Sequence, residues 1–245
     1  HEVVRKSLAF KSKSPQMKYA VLVPNLKGME DAIKSGITEI SIFGACSESF
    51  SKKNINCSIA ESFDRFEQVM VLAKKNKIKV RGYLSTAFGC PFEGKVSHAK
   101  VVKLVEKMYK LGVDEISVGD TIGVATPKQV QQLIPKLSKK VPLNKIAMHF
   151  HDTRGTALAN VLASLELGIK TFDSSIGGLG GCPYAPGAAG NLATEDLVYM
   201  LDGMGIKTGV DIKKLITIKK WIETKVKREL SSHVGKSGLP LKPVI

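Results

Sequence analysis

The sequence contains no apolar run approaching the roughly 18–20 residues that a membrane-spanning helix needs, and its start shows no signal peptide. It has four cysteines, Cys46, Cys57, Cys90 and Cys182, and none forms a Cys-x-x-Cys pair, which excludes zinc-ribbon and thioredoxin-type sites. Four scattered thiols in 245 residues suit a reducing compartment, either a bacterial cytoplasm or a mitochondrial matrix. Aromatic residues make up only 6%, and no helix-turn-helix, RNP or zinc-finger pattern occurs, so neither a nucleic acid nor a membrane is expected as a partner. No Gly-x-Gly-x-x-Gly follows the first predicted strand, which counts against a dinucleotide fold. Acidic residues are scarce: 22 Asp and Glu stand against 37 Lys and Arg, for a net charge of +15. Residues 207–245 hold a surplus of seven positive charges. Such a surplus reads either as a lysine-rich solvated surface or as positive potential for a polyanionic substrate.

Hydrophobic residues, at 43%, are sufficient for a large core. They fall into six short runs rich in Val and Ile: Tyr19–Asn25, Glu39–Ala45, Lys79–Ser85, Glu115–Asp120, Lys145–Asp152 and Thr171–Ile176. Runs apolar on both faces are the pattern of parallel strands covered on both sides. Helical segments separate them. Ser58 and Glu61 form a capping box ahead of Ile59, Phe63, Phe66, Met70 and Ala73 at helical spacing. Thr126-Pro127 places a cap and a first-turn proline before the next helix. Thr194 is expected to cap another, with Glu195 and Asp196 in its first turn. Ile212, Leu215, Ile222 and Val226 mark a last helix with its lysines outward.

Each strand ends in small or polar residues, which is expected where active-site groups converge at the C-terminal mouth of an α/β barrel. The predicted fold class is therefore α/β, a (β/α)8 TIM barrel, but six strands are found where eight are needed. Glu2–Phe10 reads as a helix with no strand before it, and the first residue is His1 rather than Met. The expectation is a barrel lacking its first two strands. Residues 1–206 form the partial catalytic domain (strands three to eight), and 207–245 form a basic C-terminal helical extension of it. A chain of this kind is expected to be part of a longer enzyme and to expose an open sheet edge.

The chemistry concentrates in two stretches. His149 and His151 stand two apart on a strand, so they project to one face at its C-terminal end. Such a pair suits a metal; the alternative is one packed histidine and one bonded to a backbone carbonyl. Asn191 offers a neutral oxygen, and two imidazoles with oxygen donors suit Mg2+ or Mn2+ better than a closed zinc cage. Cys182 lies in 177–190, where six of fourteen residues are glycine and two are proline, so it reads either as a proton-transfer thiol on a mobile loop or as an inert cysteine. Asp120 ends its strand and reads either as a base or orienting group or as a cap for the following loop. Cys46, Cys57 and Cys90 read as packing residues.

The stretches PNLKG (24–28), FGACSESFSKKNINCS (43–58), GDTIGVATP (119–127), HFHDTRGTALAN (149–160) and GLGGCPYAPGAAGNLATEDLVYML (178–201) give the chain a family likeness over nearly its whole length. It resembles the 3-hydroxy-3-methylglutaryl-CoA (HMG-CoA) lyases of the metal-dependent lyase and synthase family. GDTIG and His-x-His-Asp are shared across that family, whereas Gly-Gly-Cys-Pro-Tyr-Ala is much more specific to the lyases. The resemblance implies cleavage of HMG-CoA to acetyl-CoA and acetoacetate, with a divalent metal (Mg2+ or Mn2+) as cofactor. It matches His149, His151 and Asn191 to three metal ligands. Cys182 and Asp120 match catalytic positions, His149 joins them as an alternative acid for the leaving enolate, and Asn25 and Glu195 become candidates for substrate contact. HMG-CoA is the implied partner, and a homodimer is left open. The family's first-strand motif, with a fourth ligand aspartate and an arginine, has no counterpart here. The alternatives are a related Claisen-type synthase or acyl-CoA lyase, and an inactive fragment that binds acyl-CoA.

Overall fold

The structure is a computed structural model and describes residues 2–11, 17–181 and 190–240. The chain divides into two compact units, one of His1–Gly119 with Pro135–Ala147, the other of Asp120–Ile134 with Met148–Ile245. Among the described residues six strands form one sheet in the order β1-β2-β3-β4-β5-β6. They are β1 (Ala20–Leu22), β2 (Glu39–Ala45), β3 (Lys79–Ser85), β4 (Glu115–Asp120), β5 (Ile146–Phe150) and β6 (Thr171–Asp173). The pairs from β1 to β4 are parallel. An order that follows the chain without reversal belongs to a barrel rather than to a doubly wound sheet, which reverses at a switch point.

In the first unit α1 (Glu2–Lys11) precedes β1, and α2 (Leu26–Lys34), α3 (Glu48–Ile55), α4 (Ile59–Lys75) and α5 (His98–Leu111) alternate with the strands. Ile40 and Ile42 of β2 and Val80 and Leu84 of β3 are buried, as are Phe63, Phe66 and Val69 of α4. Phe63 and Phe66 meet edge to face with ring centroids 5.6 Å apart. Full burial of one such side chain is worth about 1.5–3 kcal/mol. The capping box holds: Ser58 Oγ accepts from Glu61 N–H at 3.2 Å, and the Glu61 carboxylate accepts from Ser58 N–H at 2.7 Å. One expectation fails at β3, which is not apolar on both faces. Val80, Gly82 and Leu84 are buried, whereas Arg81, Tyr83 and Ser85 on the other face are half-buried. Arg81 sits in register with Glu115 and pairs with it at 2.7 Å, so that face is held by charge.

α6 (Pro127–Ser138) runs from the second unit into the first. The second unit also holds α7 (Ala157–Glu166), α8 (Thr194–Gly203), α9 (Ile212–Val226) and α10 (His233–Ser237). α8 is capped differently from expectation. Its N-cap is Ala193, and Thr194 is the first helical residue, its hydroxyl turned to Ser174 Oγ at 2.9 Å. α9 is not the last helix, because α10 follows it. Nor are all its lysines outward: Lys219 is only 4% exposed and pairs with Glu223, one turn on, at 2.7 Å. Lys213, Lys214, Lys220 and Lys225 are exposed as expected. No described helix is long and apolar enough to cross a membrane.

Candidate metal centre

Residues His149 and His151 reach the end of β5 together, as a two-residue repeat requires. Their rings lie with centroids 5.1 Å apart. The backbone then brings Asn191 to them. Leu192 N–H donates to the Phe150 carbonyl at 3.1 Å and Asp152 N–H to the Gly190 carbonyl at 3.0 Å. His151 and Asn191 thereby face each other across an antiparallel bridge. Gly190 makes the approach feasible: its φ is +103°, and a Cβ there would overlap the carbonyl oxygens of Gly178 and Gly180.

Polar contacts orient two of the three side chains. His149 Nδ1 lies 3.3 Å from Asp173 Oδ2 on β6. That contact orients the imidazole ring. Asn191 Nδ2 donates to the Leu179 carbonyl at 3.0 Å, which fixes the amide's orientation and leaves Oδ1 as the remaining atom. Asn191 Oδ1 and His151 Nδ1 are both buried without a hydrogen-bond partner. Burial, with the neighbouring His149, pushes His151 down to about 4 from its ordinary 6.5, so the ring is neutral at pH 7 and its lone pair is available.

A buried polar atom left unpaired costs about 1–3 kcal/mol. Two such atoms on residues paired across one bridge, with an oriented imidazole beside them, fit a divalent cation. Among the described residues no group of three or more His, Cys, Asp or Glu could hold a metal, so the fit depends on Asn191 as the third donor. Two nitrogens and a neutral oxygen form a set of intermediate hardness.

Asp120 is buried, and its carboxylate serves the loop that follows. Oδ1 accepts from Val124 N–H at 2.9 Å and Oδ2 from Ala125 N–H at 3.0 Å. Its carbonyl accepts from His151 N–H at 3.3 Å, which ties it to the site. Burial raises its carboxyl above the usual aspartate range, and the two amides pull it partly back. Asn25 is exposed and caps α2, its Oδ1 accepting from Gly28 N–H at 3.0 Å. Glu195, 0% exposed, turns inward, with its two oxygens 3.1 and 2.8 Å from Gly177 N. There it makes a structural contact with the backbone. Cys182 lies outside the described residues. Sequence reasoning missed Asp173, because an aspartate 24 residues from a histidine carries no linear signal; only strand adjacency joins them.

Residues 1–222 match the model of the HMGL-like family. The chain belongs to the HMGL-like family. This HMGL-like chain is 53% identical over 229 residues to the human mitochondrial hydroxymethylglutaryl-CoA lyase, covering 94% of itself and 70% of that protein. It superposes on the hydroxymethylglutaryl-CoA lyase of Pseudomonas aeruginosa with a TM-score of 0.88 at 46% identity, over 91% of this chain and 74% of that one. An HMG-CoA lyase of Acinetobacter baumannii, solved with coenzyme A and 3-methylmalate, matches with a TM-score of 0.87 at 38% identity, over 94% and 75% of the two chains. The expected family and TIM-barrel fold are thereby borne out. Family membership also implies a divalent metal.

Proposed function

We propose that this chain is a carbon–carbon lyase that cleaves HMG-CoA to acetyl-CoA and acetoacetate, with Mg2+ or Mn2+ held by His149, His151 and Asn191. The observation that carries this reading is that two buried, unpartnered atoms, His151 Nδ1 and Asn191 Oδ1, belong to residues paired across the antiparallel bridge. The relatives supply the substrate's identity.

When bound, a divalent cation held by His149, His151 and Asn191 would supply Lewis-acid polarisation that lowers the pKa of the substrate's 3-hydroxyl. The rest falls to protein groups. The hydroxyl proton must pass to a base, and Asp120 suits this: burial favours its protonated form, and each oxygen accepts only one amide. As the proton leaves, the O–H pair becomes the C3 carbonyl of acetoacetate. The C2–C3 pair moves to the departing acetyl-CoA enolate. A proton must then reach C2, and Cys182 supplies it. Asp173 keeps the His149 ring in one orientation while this happens. Lysines give the negative CoA phosphates and carboxylate a favourable field.

The test is acetoacetate release from HMG-CoA with Mg2+ or Mn2+ added. Cys182→Ala should nearly abolish release while leaving metal bound. Full activity in that variant would remove Cys182 from the mechanism, and condensation of acetyl-CoA with a 2-keto acid in place of cleavage would overturn the assignment.

A further inference from the structure

The inward-facing Glu195 gains a purpose from what lies beyond Gly177. Gly177 is gripped at both ends of its backbone. Its N–H is held by the Glu195 carboxylate, and its carbonyl accepts from Ser231 N–H at 3.1 Å. Its φ is +62°, and a Cβ there would lie 2.5 Å from Leu230 Cδ1, so Leu230 closes the third side. Two tight hydrogen bonds follow, Gly178 N–H to the Ser175 carbonyl at 3.0 Å and Leu179 N–H to the Ile176 carbonyl at 3.1 Å. The chain then presents two carbonyls to Asn191. Leu179 O takes the side-chain amide at 3.0 Å, and Gly180 O takes the backbone N–H at 3.1 Å. Asn191 is therefore oriented by a turn whose anchor is Gly177.

The grip on the carbonyl side is itself tethered. Asp196, next to Glu195 on α8, accepts from Ser232 Oγ at 2.9 Å, from His233 N–H at 3.0 Å and from Val234 N–H at 2.7 Å. Residues 230–234 lie beyond residue 222, where the match to the family model ends. The C-terminal segment is thus wired to the turn that orients Asn191.

We infer that Glu195 is a positioning residue for metal binding, acting through Gly177 and Leu179 to aim Asn191 Oδ1, with the 230–234 segment as the opposing clamp. The inference rests on the metal reading given above. Outer groups that orient a ligand typically change metal affinity 10–100-fold when removed. A purely structural carboxylate would change stability without acting through one ligand.

The experiment is Mn2+ titration of the full chain, followed by electron paramagnetic resonance of the free ion. Glu195→Ala should weaken binding about 10–100-fold. Glu195→Gln, whose amide oxygen still accepts from Gly177 N–H, should stay within about threefold, well short of that range. In an Asn191→Ala background, Glu195→Ala should cause no further loss, because the two act as one unit. If Glu195→Ala does not fold, Glu195→Asp, which draws the carboxylate back by one methylene, carries the same expectation of weakened binding and non-additivity. Unchanged affinity in the folded Ala or Asp variant, or an equal loss in the Asn191→Ala background, overturns the inference. If His151→Ala and Asn191→Ala weaken binding but the Glu195 variants do not, this inference alone falls. If none of them changes Mn2+ binding, the metal reading falls with it.

Discussion

His151 Nδ1 and Asn191 Oδ1 are buried, have no hydrogen-bond partner, and belong to residues that face each other across an antiparallel bridge. The arrangement stores a penalty in the metal-free chain that a cation would remove. His151→Phe therefore should abolish Mn2+ binding yet leave the metal-free chain at least as stable, since an orphaned polar atom is replaced by a ring of similar shape. Denaturant melts of the metal-free proteins check this. A loss of more than about 2 kcal/mol would mean that the His151 atom has a partner in solution.

Asp173 orients His149 through the 3.3 Å contact to Nδ1. Asp173→Asn keeps the shape but no longer favours the proton on Nδ1. Metal affinity should fall about 10–100-fold, the range found when outer-shell partners are altered. Isothermal titration with Mn2+ reads the change directly, and an unaltered affinity would leave Asp173 without a role at the site.

Gly190→Ala should damage both fold and site. The left-handed conformation alone costs a non-glycine residue about 1–2 kcal/mol. Overlap with two carbonyls adds to this, because those carbonyls belong to the turn that holds Asn191. A destabilisation above about 2 kcal/mol is expected together with weakened Mn2+ binding. A variant as stable and as tight as the parent would show that residues 190–192 pair differently.

Burial pushes the Cys46 thiol up to about 12 from its ordinary 9.0. The folded state thus holds a proton that the unfolded state releases. The associated stability is complete below pH 9 and is lost as pH rises from 9 towards 12. At pH 8.5, iodoacetamide should leave Cys46 unlabelled in the native chain and modify it in denaturant. Mass spectrometry of the peptide carrying Cys46 checks the outcome, and rapid native labelling would show that the site opens.

Much of the architecture was legible in the sequence, for a physical reason. β2, β3 and β4 begin and end where the Val- and Ile-rich runs do, because those runs are cut off by polar residues. β1 proves shorter than Tyr19–Asn25, since Asn25 is taken up in capping α2. β6 stops at Asp173 rather than Ile176, because the chain turns there towards the positive φ of Gly177. The proposed ligand trio was readable because two of its members share one strand face. The parts that were not readable depend on partners distant in sequence. Asp173 meets His149 across neighbouring strands, Glu195 meets Gly177, and Lys219 is buried against the segment carrying Gly235. None of these pairings leaves a periodic trace.

The central claim is that His149, His151 and Asn191 together hold a divalent cation, and the most direct test is pulsed electron paramagnetic resonance of the Mn2+-loaded chain. Two imidazole nitrogen couplings are predicted, one lost in His149→Ala and the other in His151→Ala, with affinity reduced in Asn191→Ala. A Mn2+ spectrum with no nitrogen coupling, or one unchanged by either histidine substitution, would contradict the account.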